Sequence, residues 1–181
     1  KKINQKTLFK RIDSQHINEI LLPSIDKKEE QLAFIIGKGL PAGPGAATGQ
    51  IVFSADKAEH LFQAGKKVVL VRDETSPEDV HGMYASEAIL TSRGGMTSHA
   101  ALVARGWGKC CIVGSNDIQI NYKKKKFIAN NKVFYENDWI TLNGSIGFIY
   151  AGSLKLVQRK IDNNTEYKKL MSLCEKFNPM K

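Results

Sequence analysis

The sequence predicts an α/β domain with three β/β/α layers and helical segments at both ends. Through the middle of the chain, short apolar stretches of strand length alternate with stretches of helical period. Several β-rich stretches then follow one another without a helix between them, which is typical of a second β layer. The composition, 42% apolar and 25% charged, is that of a globular protein and argues against disorder. No uncharged apolar run approaches the ~20 residues of a membrane span, so we expect no membrane association.

Residues 1–36 are predicted to form a helical linker that Pro23 interrupts, with a second short helix over Asp26–Ile36. The first helix rests on apolar residues at helical spacing: Leu8, Ile12, Ile17, Ile20 and Leu21. Residues 39–49 are rich in turn formers and lead into a strand at Gln50–Phe53, so we predict that the compact domain covers residues 37–152. Residues 153–181 are predicted to be a second helical linker, with its helix over 165–177.

Inside the domain, glycines and capping residues mark where most elements start and stop. Gly65 ends one helix, and Ser76 followed by Pro77 is a good start for another. The predicted helices are Asp56–Ala64, Ser76–Ala85 and Thr97–Arg105. The predicted strands or β-rich stretches are Lys67–Arg72, Ala88–Leu90, Cys110–Val113, Ile118–Tyr122, Lys132–Tyr135 and Trp139–Tyr150.

The net charge of +9 suggests a nucleic-acid partner, but its distribution does not favour one. Residues 51–100 carry five basic and seven acidic groups, a net charge of −2, so the basic excess lies in the flanks. It includes the run Lys123–Lys126, which we interpret as a solvated loop because no stacking aromatic residues alternate with the lysines. A basic nucleic-acid-binding module is therefore a remote alternative.

The three cysteines are too few and too unevenly spaced for a disulfide framework or a zinc site. Cys110 and Cys111 fall in a predicted strand and are expected to be buried rather than redox-active, and Cys174 lies in the C-terminal flank. We therefore expect a reducing compartment, the cytoplasm, with an organelle as the alternative if a targeting segment lies outside this sequence. No metal site is predicted.

The most informative stretch is Thr91–Gly106, which reads as a strand, a paired-glycine turn and a helix. Free amides and the helix dipole favour an anion at such a helix start by roughly 0.3–1 kcal/mol. His99 lies in the first turn and its side chain leans toward that end, so its imidazole can accept a phosphoryl group. The supporting residues are Gly94 and Gly95 in the turn, Thr97 and Ser98 as hydroxyl donors, and either Arg93 or Arg105 as a phosphate partner.

The same spacing also fits a structural role for this histidine. His99 shares a helix face with Leu102 and Val103, so a core histidine with one satisfied nitrogen is an open alternative. A Gly-Gly pair before a helix is common in helix–sheet packing as well.

Residues Gly94–Arg105 resemble the active-site signature of the phosphoenolpyruvate-utilising enzymes. The resemblance implies that His99 is phosphorylated at its tele nitrogen, Nε2, on a swivelling β/β/α domain, and that Thr97 is a candidate for regulatory phosphorylation. Thr75 and Asp79 are also expected to approach the histidine loop from the preceding turn, with an N-cap and a solvated acid as the alternative roles. Four further stretches resemble one branch of this family: Gly39–Ala46, Glu74–Asp79, Gly106–Cys111 and Trp139–Ser145.

Enzymes of that branch convert ATP, phosphate and pyruvate reversibly into AMP, diphosphate and phosphoenolpyruvate. The resemblance implies two partner domains in the same polypeptide, a nucleotide-binding domain before this chain and a TIM barrel for pyruvate or phosphoenolpyruvate after it. It implies no cofactor in this domain, Mg²⁺ in its neighbours and a homo-oligomeric parent. The alternatives within the family are phosphoenolpyruvate synthase and Enzyme I of the sugar phosphotransferase system.

Overall fold

The computed structural model describes residues 21–158, 167–169 and 171–172. Residues Ser24–Val157 form one compact unit, and the two flanks belong to a separate unit. The compact unit is wider at both ends than the predicted range of residues 37–152. In the C-terminal flank, 167–169 and 171–172 are helical, in line with the predicted helix, whereas the helix predicted in residues 1–20 lies outside the described residues. No described helix is long and apolar enough to cross a membrane.

The compact unit contains thirteen strands, four α-helices and one 3₁₀ turn in its described residues. The helices are α1 (Lys27–Leu32), α2 (Ala55–Gln63), α3 (Val80–Ala85) and α4 (His99–Trp107), and the 3₁₀ turn is Pro77–Asp79. The first seven strands are β1 (Ser24–Ile25), β2 (Ile35–Lys38), β3 (Leu40–Gly43), β4 (Ala46–Val52), β5 (Val68–Arg72), β6 (Ala88–Thr91) and β7 (Cys110–Val113). The others are β8 (Gln119–Asn121), β9 (Lys126–Ala129), β10 (Lys132–Tyr135), β11 (Trp139–Asn143), β12 (Phe148–Ala151) and β13 (Leu156–Val157).

The main sheet has eight strands in the order β2-β12-β11-β4-β5-β6-β7-β3. Strands β4 to β7 are parallel, and their crossovers contain the helices α2, α3 and α4. The two outermost strands, β2 and β3, are consecutive in the chain and are joined by Gly39 alone, so the sheet curls back toward itself. A smaller antiparallel sheet, β10-β9-β8, and the pair β1-β13 complete the unit.

Alternate residues of the parallel strands are buried on opposite faces of the main sheet. One apolar cluster joins Ile51, Val69 and Leu90 to residues of the small sheet such as Phe127. A second cluster joins Val52, Leu70 and Ile89 to the three helices. Burial on both faces explains why β5 and β7 are continuous apolar runs, as is usual for parallel strands. The predicted β/β/α layering is confirmed, with the small sheet, the main sheet and the helices as the layers.

The structure differs from the prediction where glycine and proline suggested turns. Residues 39–49 contain strands β3 and β4 rather than a loop, because β3 is an edge strand that pairs only with β7 and tolerates Pro41 there. The helix expected over Asp26–Ile36 stops at Leu32, and the chain then becomes strand β2. The helix expected from Ser76 begins as a 3₁₀ turn.

The lysine run also departs in part from the predicted solvated loop. Residues 122–125 form an exposed turn, but Lys126 already belongs to strand β9, which the sequence did not predict.

We predict that Gly39→Ala destabilises the folded protein by about 1–3 kcal/mol, because the closing point of the sheet has no room for a methyl group. A Cβ at Gly39 would lie 2.6 Å from Cγ2 of Ile112 and 2.8 Å from the carbonyl oxygen of Val113. Gly106→Ala is the matched control, since a Cβ there meets nothing within 4 Å and alanine favours the helix. Urea unfolding measures both, and equal midpoints would contradict the prediction.

Candidate functional site

The candidate site lies where the neighbouring parallel strands β5 and β6 end. Arg72 and Thr91, their last residues, pair in register. The pairing continues beyond the strands, because the amide of Ser92 donates to the carbonyl of Arg72 (3.0 Å) and the amide of Arg93 donates to that of Asp73 (2.9 Å). The turn after β5 and the loop after β6 therefore leave the sheet side by side. In open α/β sheets, the carboxyl ends of parallel strands are the usual place for a functional site.

The loop after β6 turns sharply before it enters helix α4. Gly94 has a φ of +93°, a conformation that glycine adopts without strain. Ser98 is the N-cap of α4, and its hydroxyl accepts a hydrogen bond from the amide of Ala101 (3.4 Å). His99 is thus the first helical residue, two positions later than Thr97, where the helix was predicted to begin. Its side chain lies at the N-terminal end of the helix, where the dipole favours an anion.

The contact that defines the site joins these two connections. Oγ1 of Thr75, in the turn after β5, lies 3.0 Å from Nδ1 of His99. If Nδ1 carries the proton, it donates to this hydroxyl oxygen, and the other ring nitrogen, Nε2, keeps its lone pair. The ring is half-buried, so the arrangement orients one nitrogen and leaves the side chain accessible. The structure thereby brings Thr75 to the histidine, and buried Asp79 lies in the same turn.

The structure separates the two arginines that the sequence could not rank. Arg105 donates from Nη2 to the carbonyl of Met96, so its guanidinium lies against the histidine loop. Both arginine side chains are exposed, but that of Arg93 makes no hydrogen bond or ion pair among the described residues, and only its carbonyl accepts from Oγ1 of Thr91 at 2.6 Å. Arg105 is therefore the cation that the described geometry associates most directly with the loop.

The remaining predicted residues lie in the same loop but differ in exposure. Thr97 is exposed, Ser98 is half-buried and serves as the cap, and a Cβ on Gly95 would meet nothing within 4 Å. The core-histidine alternative does not fit, since His99 is itself only half-buried and Leu102 on the same helix face is 57% exposed, although Val103 packs against the core.

Glu78 is a charged neighbour of the site that the sequence analysis did not single out. Its pKa is lowered, mainly by hydrogen bonding to Ser76 and to its own backbone, and also by the nearby His99. The carboxylate is therefore ionised at neutral pH and contributes negative charge close to the imidazole. The sequence places Glu78 in the first turn after Ser76. An acidic residue at that position also stabilises the start of a helix, so the sequence did not mark Glu78 as a site residue.

The two adjacent cysteines are structural, as predicted. Cys110 and Cys111 are buried in strand β7 on opposite faces of the main sheet. Burial raises the pKa of both thiols, that of Cys110 to about 12, which disfavours the reactive thiolate. In the part of the chain that the structure describes, no group of three or more His, Cys, Asp or Glu residues could hold a metal ion.

Fold and site together define a class: a β/β/α domain that presents one oriented histidine at the carboxyl edge of its parallel strands. The family model described as "PEP-utilising enzyme, mobile domain" matches residues 64–147, which include both Thr75 and His99. This chain belongs to the family of the phosphoenolpyruvate-utilising enzymes, and its central part corresponds to their mobile domain.

Curated relatives agree with this assignment. The chain is 48% identical over 164 residues to "Pyruvate, phosphate dikinase, chloroplastic" of Flaveria pringlei, covering 91% of this chain and 17% of that protein. It is 49% identical over 154 residues to "Pyruvate, phosphate dikinase 2" of Oryza sativa subsp. japonica, covering 85% and 17%. It is 42% identical over 179 residues to "Pyruvate, phosphate dikinase" of Clostridium symbiosum, covering 99% and 20%. The chain therefore spans a fifth or less of the length of these relatives.

We predict that Thr75→Val lowers the ratio of the Nδ1-protonated to the Nε2-protonated tautomer of His99 by about twofold to tenfold, because one hydrogen bond is lost. Nitrogen-15 shifts of the imidazole measure the tautomer, and the His99→Ala spectrum assigns its signals. Thr75→Ser is the control, since it keeps the hydroxyl. A wild-type spectrum with the proton on Nε2, or an unchanged Val variant, would contradict the prediction.

We also predict that Cys110 and Cys111 resist iodoacetamide in the folded protein at pH 8, where only about one Cys110 thiol in ten thousand is ionised. The experiment uses the Cys174→Ser variant, so that mass spectrometry reports these two residues alone. Both should react once urea unfolds the chain. Labelling of the folded variant at the rate of a free thiol would contradict the prediction, because it would show that the reagent reaches β7.

Proposed function

We propose that this chain is the phosphohistidine carrier domain of a pyruvate, phosphate dikinase and that Nε2 of His99 carries the phosphoryl group. The observation that carries the proposal is the 3.0 Å contact between Nδ1 of His99 and Oγ1 of Thr75. It orients the ring at the start of helix α4 and leaves the second nitrogen unengaged by this contact. The names of the relatives support this branch of the family over phosphoenolpyruvate synthase and Enzyme I.

The reaction proposed for this site is a nucleophilic substitution at phosphorus. The lone pair of Nε2 forms the new N–P bond while the P–O bond of the donor breaks, and the departing oxygen takes that electron pair. When phosphoenolpyruvate is the donor, the leaving group is the enolate of pyruvate, which then takes a proton on carbon. The N-terminal end of α4 and the Arg105 guanidinium supply positive potential for the transferred group.

The proposed reaction of the whole enzyme has two halves. In one, ATP and phosphate phosphorylate His99 and leave AMP and diphosphate. In the other, the phosphohistidine transfers its group to pyruvate and gives phosphoenolpyruvate. Neither half is complete on this chain, whose length is a small fraction of that of its relatives, so we assign the binding of nucleotide and of pyruvate to flanking domains of the parent polypeptide.

Further features of the parent enzyme follow from the same proposal. We assign Mg²⁺ to the nucleotide-binding and pyruvate-binding domains, because phosphate and carboxylate groups there would provide the oxygen ligands that it prefers. The parent is proposed to be a homo-oligomer of the cytoplasm. An organelle is the alternative compartment, since several relatives are named chloroplastic.

Thr97 is proposed as a regulatory phosphorylation site of this domain. Its side chain is exposed and it precedes His99 by two residues, so a modifying enzyme can reach it in the described surface. A phosphate there adds a charge of about −1.5 to −2 beside the imidazole and would repel the incoming phosphoryl group.

The test of the carrier function uses a chimera in which this chain replaces the aligned segment of the Clostridium symbiosum protein. Incubation with radiolabelled phosphoenolpyruvate should give a label that is lost in acid, is stable in base and maps to His99. The His99→Ala variant should lose the label entirely. His81→Ala is the matched control, because His81 is an exposed histidine that contacts Asp56 (3.0 Å) outside the candidate site.

Folding of the chimera is checked by cooperative unfolding, and phosphoenolpyruvate binding is measured separately. A folded chimera that binds phosphoenolpyruvate but acquires no label on His99 overturns the proposal. A label that persists in His99→Ala would assign the acceptor role to another residue.

A further inference from the structure

Side-chain contacts hold both ends of the turn that carries Thr75. Asp73, at its start, accepts a hydrogen bond from Oγ of Ser92 on Oδ1 (2.7 Å). Asp79, at its end, accepts from the amide of Ser76 (3.0 Å) and forms an ion pair with Arg72 (3.3 Å). The position of the Thr75 hydroxyl against His99 therefore depends on residues at both ends of the turn.

One further contact reaches this turn from the small sheet. The hydroxyl oxygen of Tyr122 accepts a hydrogen bond from the amide of Asp73 at 2.7 Å. The guanidinium carbon of Arg72 lies 5.5 Å from the centre of the Tyr122 ring, within the range of a cation–π contact. Nε of Arg72 is buried and has no hydrogen-bond partner among the described residues, whereas Nη1 donates to the carbonyl of Phe53 (3.2 Å). The tyrosine ring, this carbonyl and Asp79 therefore together hold the partly buried guanidinium.

Tyr122 is itself held in place by the exposed turn of residues 122–125, which we term the lysine turn. The amide of Lys125 donates to the carbonyl of Tyr122 (3.2 Å), and the amide of Lys124 donates to Oδ1 of Asn121 (2.9 Å). Glu136 anchors the far side, because its amide donates to the carbonyl of Lys125 (2.9 Å) and its carboxylate lies 3.6 Å from Nζ of Lys125. These contacts fix the lysine turn, which positions Tyr122 at the edge of the main sheet.

We propose that Tyr122 is a positioning residue for the phosphoryl acceptor: by fixing Asp73 and Arg72 it keeps the hydroxyl of Thr75 on Nδ1 of His99. This inference rests on the proposed function and assigns a role to the lysine turn, which the carrier chemistry alone does not use. Partial burial, above all, and the neighbouring Asp73 carboxylate raise the pKa of Tyr122, so the hydroxyl stays protonated at neutral pH. Tyr122 touches neither the imidazole nor the transferred group in the contacts described, and acts through the turn.

The test compares Tyr122→Phe with the wild-type chain. The substitution removes one oxygen and keeps the ring that faces Arg72 and Phe53, whose ring centre lies 6.4 Å away. Tyr135→Phe is the matched control, because Tyr135 is an exposed tyrosine of the same small sheet and makes no contact with the 73–79 turn. Tyr122→Leu, which also removes the aromatic face under Arg72, is the stronger variant on the same readouts.

Two measurements on the unphosphorylated chain decide the positioning role independently of phosphoryl transfer. In Tyr122→Phe, hydrogen exchange at the Asp73 amide should accelerate, and the nitrogen-15 shifts of His99 should move toward an equal mixture of tautomers. In the chimera, the initial rate of labelling from phosphoenolpyruvate should fall by about twofold to tenfold, the effect of losing one hydrogen bond. The phosphoenolpyruvate concentration for half-maximal rate should not change, since the donor binds elsewhere.

The outcomes separate this inference from the proposed function. If the His99 shifts of Tyr122→Phe match those of wild type and of Tyr135→Phe, the positioning role is overturned, whatever the labelling rate. If the shifts move as expected but no chimera is labelled, the proposed function fails while the structural coupling stands. If Tyr122→Phe loses cooperative unfolding, Tyr122 is a folding residue and the positioning role is rejected.

Discussion

The structure of the site depends on the parallel pairing of β5 with β6. Because Arg72 and Thr91 end these strands in register, the two following connections must leave the sheet at the same edge and a few ångströms apart. Two main-chain hydrogen bonds beyond the strands keep them together, and the contact between Thr75 and His99 follows from that arrangement. Apolar burial on both faces of the strands makes this edge a rigid support, since a shift of either strand would disrupt close packing in both apolar clusters.

The helices and the small sheet flank this edge of the main sheet and do not cover it. The helices pack on one face of the parallel strands and the small sheet on the other, so the described histidine loop projects from the edge between them. Strand β8 of the small sheet ends at Asn121, and Tyr122 directly after it reaches Asp73. The second β layer therefore contributes to the site as well as to the core. A half-exposed imidazole on a rigid edge suits the proposed role, in which this group enters the active site of another domain.

The strands, the histidine loop and the supporting turn all fit membership in the phosphoenolpyruvate-utilising family. The match to the mobile domain covers strands β5 to β11, the histidine loop and the turn that supports it. The proposed carrier needs an oriented nucleophile and a stable scaffold, whereas its donors and acceptors can be bound elsewhere. The relatives are at least five times longer than the aligned segment, which is consistent with such a division of labour. The charged neighbours Glu78 and Arg105 set the local potential at the start of α4.

The sequence alone determined the layer class and most strand and helix positions, because these depend on local periodicity, and a contiguous motif was enough to predict His99 as the site histidine. It misassigned residues 39–49, since glycine and proline indicate turns locally while edge pairing with β7 is a long-range property. It also could not choose between Arg93 and Arg105, or foresee that Tyr122 reaches Asp73. Those relations join residues far apart in the chain, and only the packing of the layers brings their atoms within hydrogen-bonding distance.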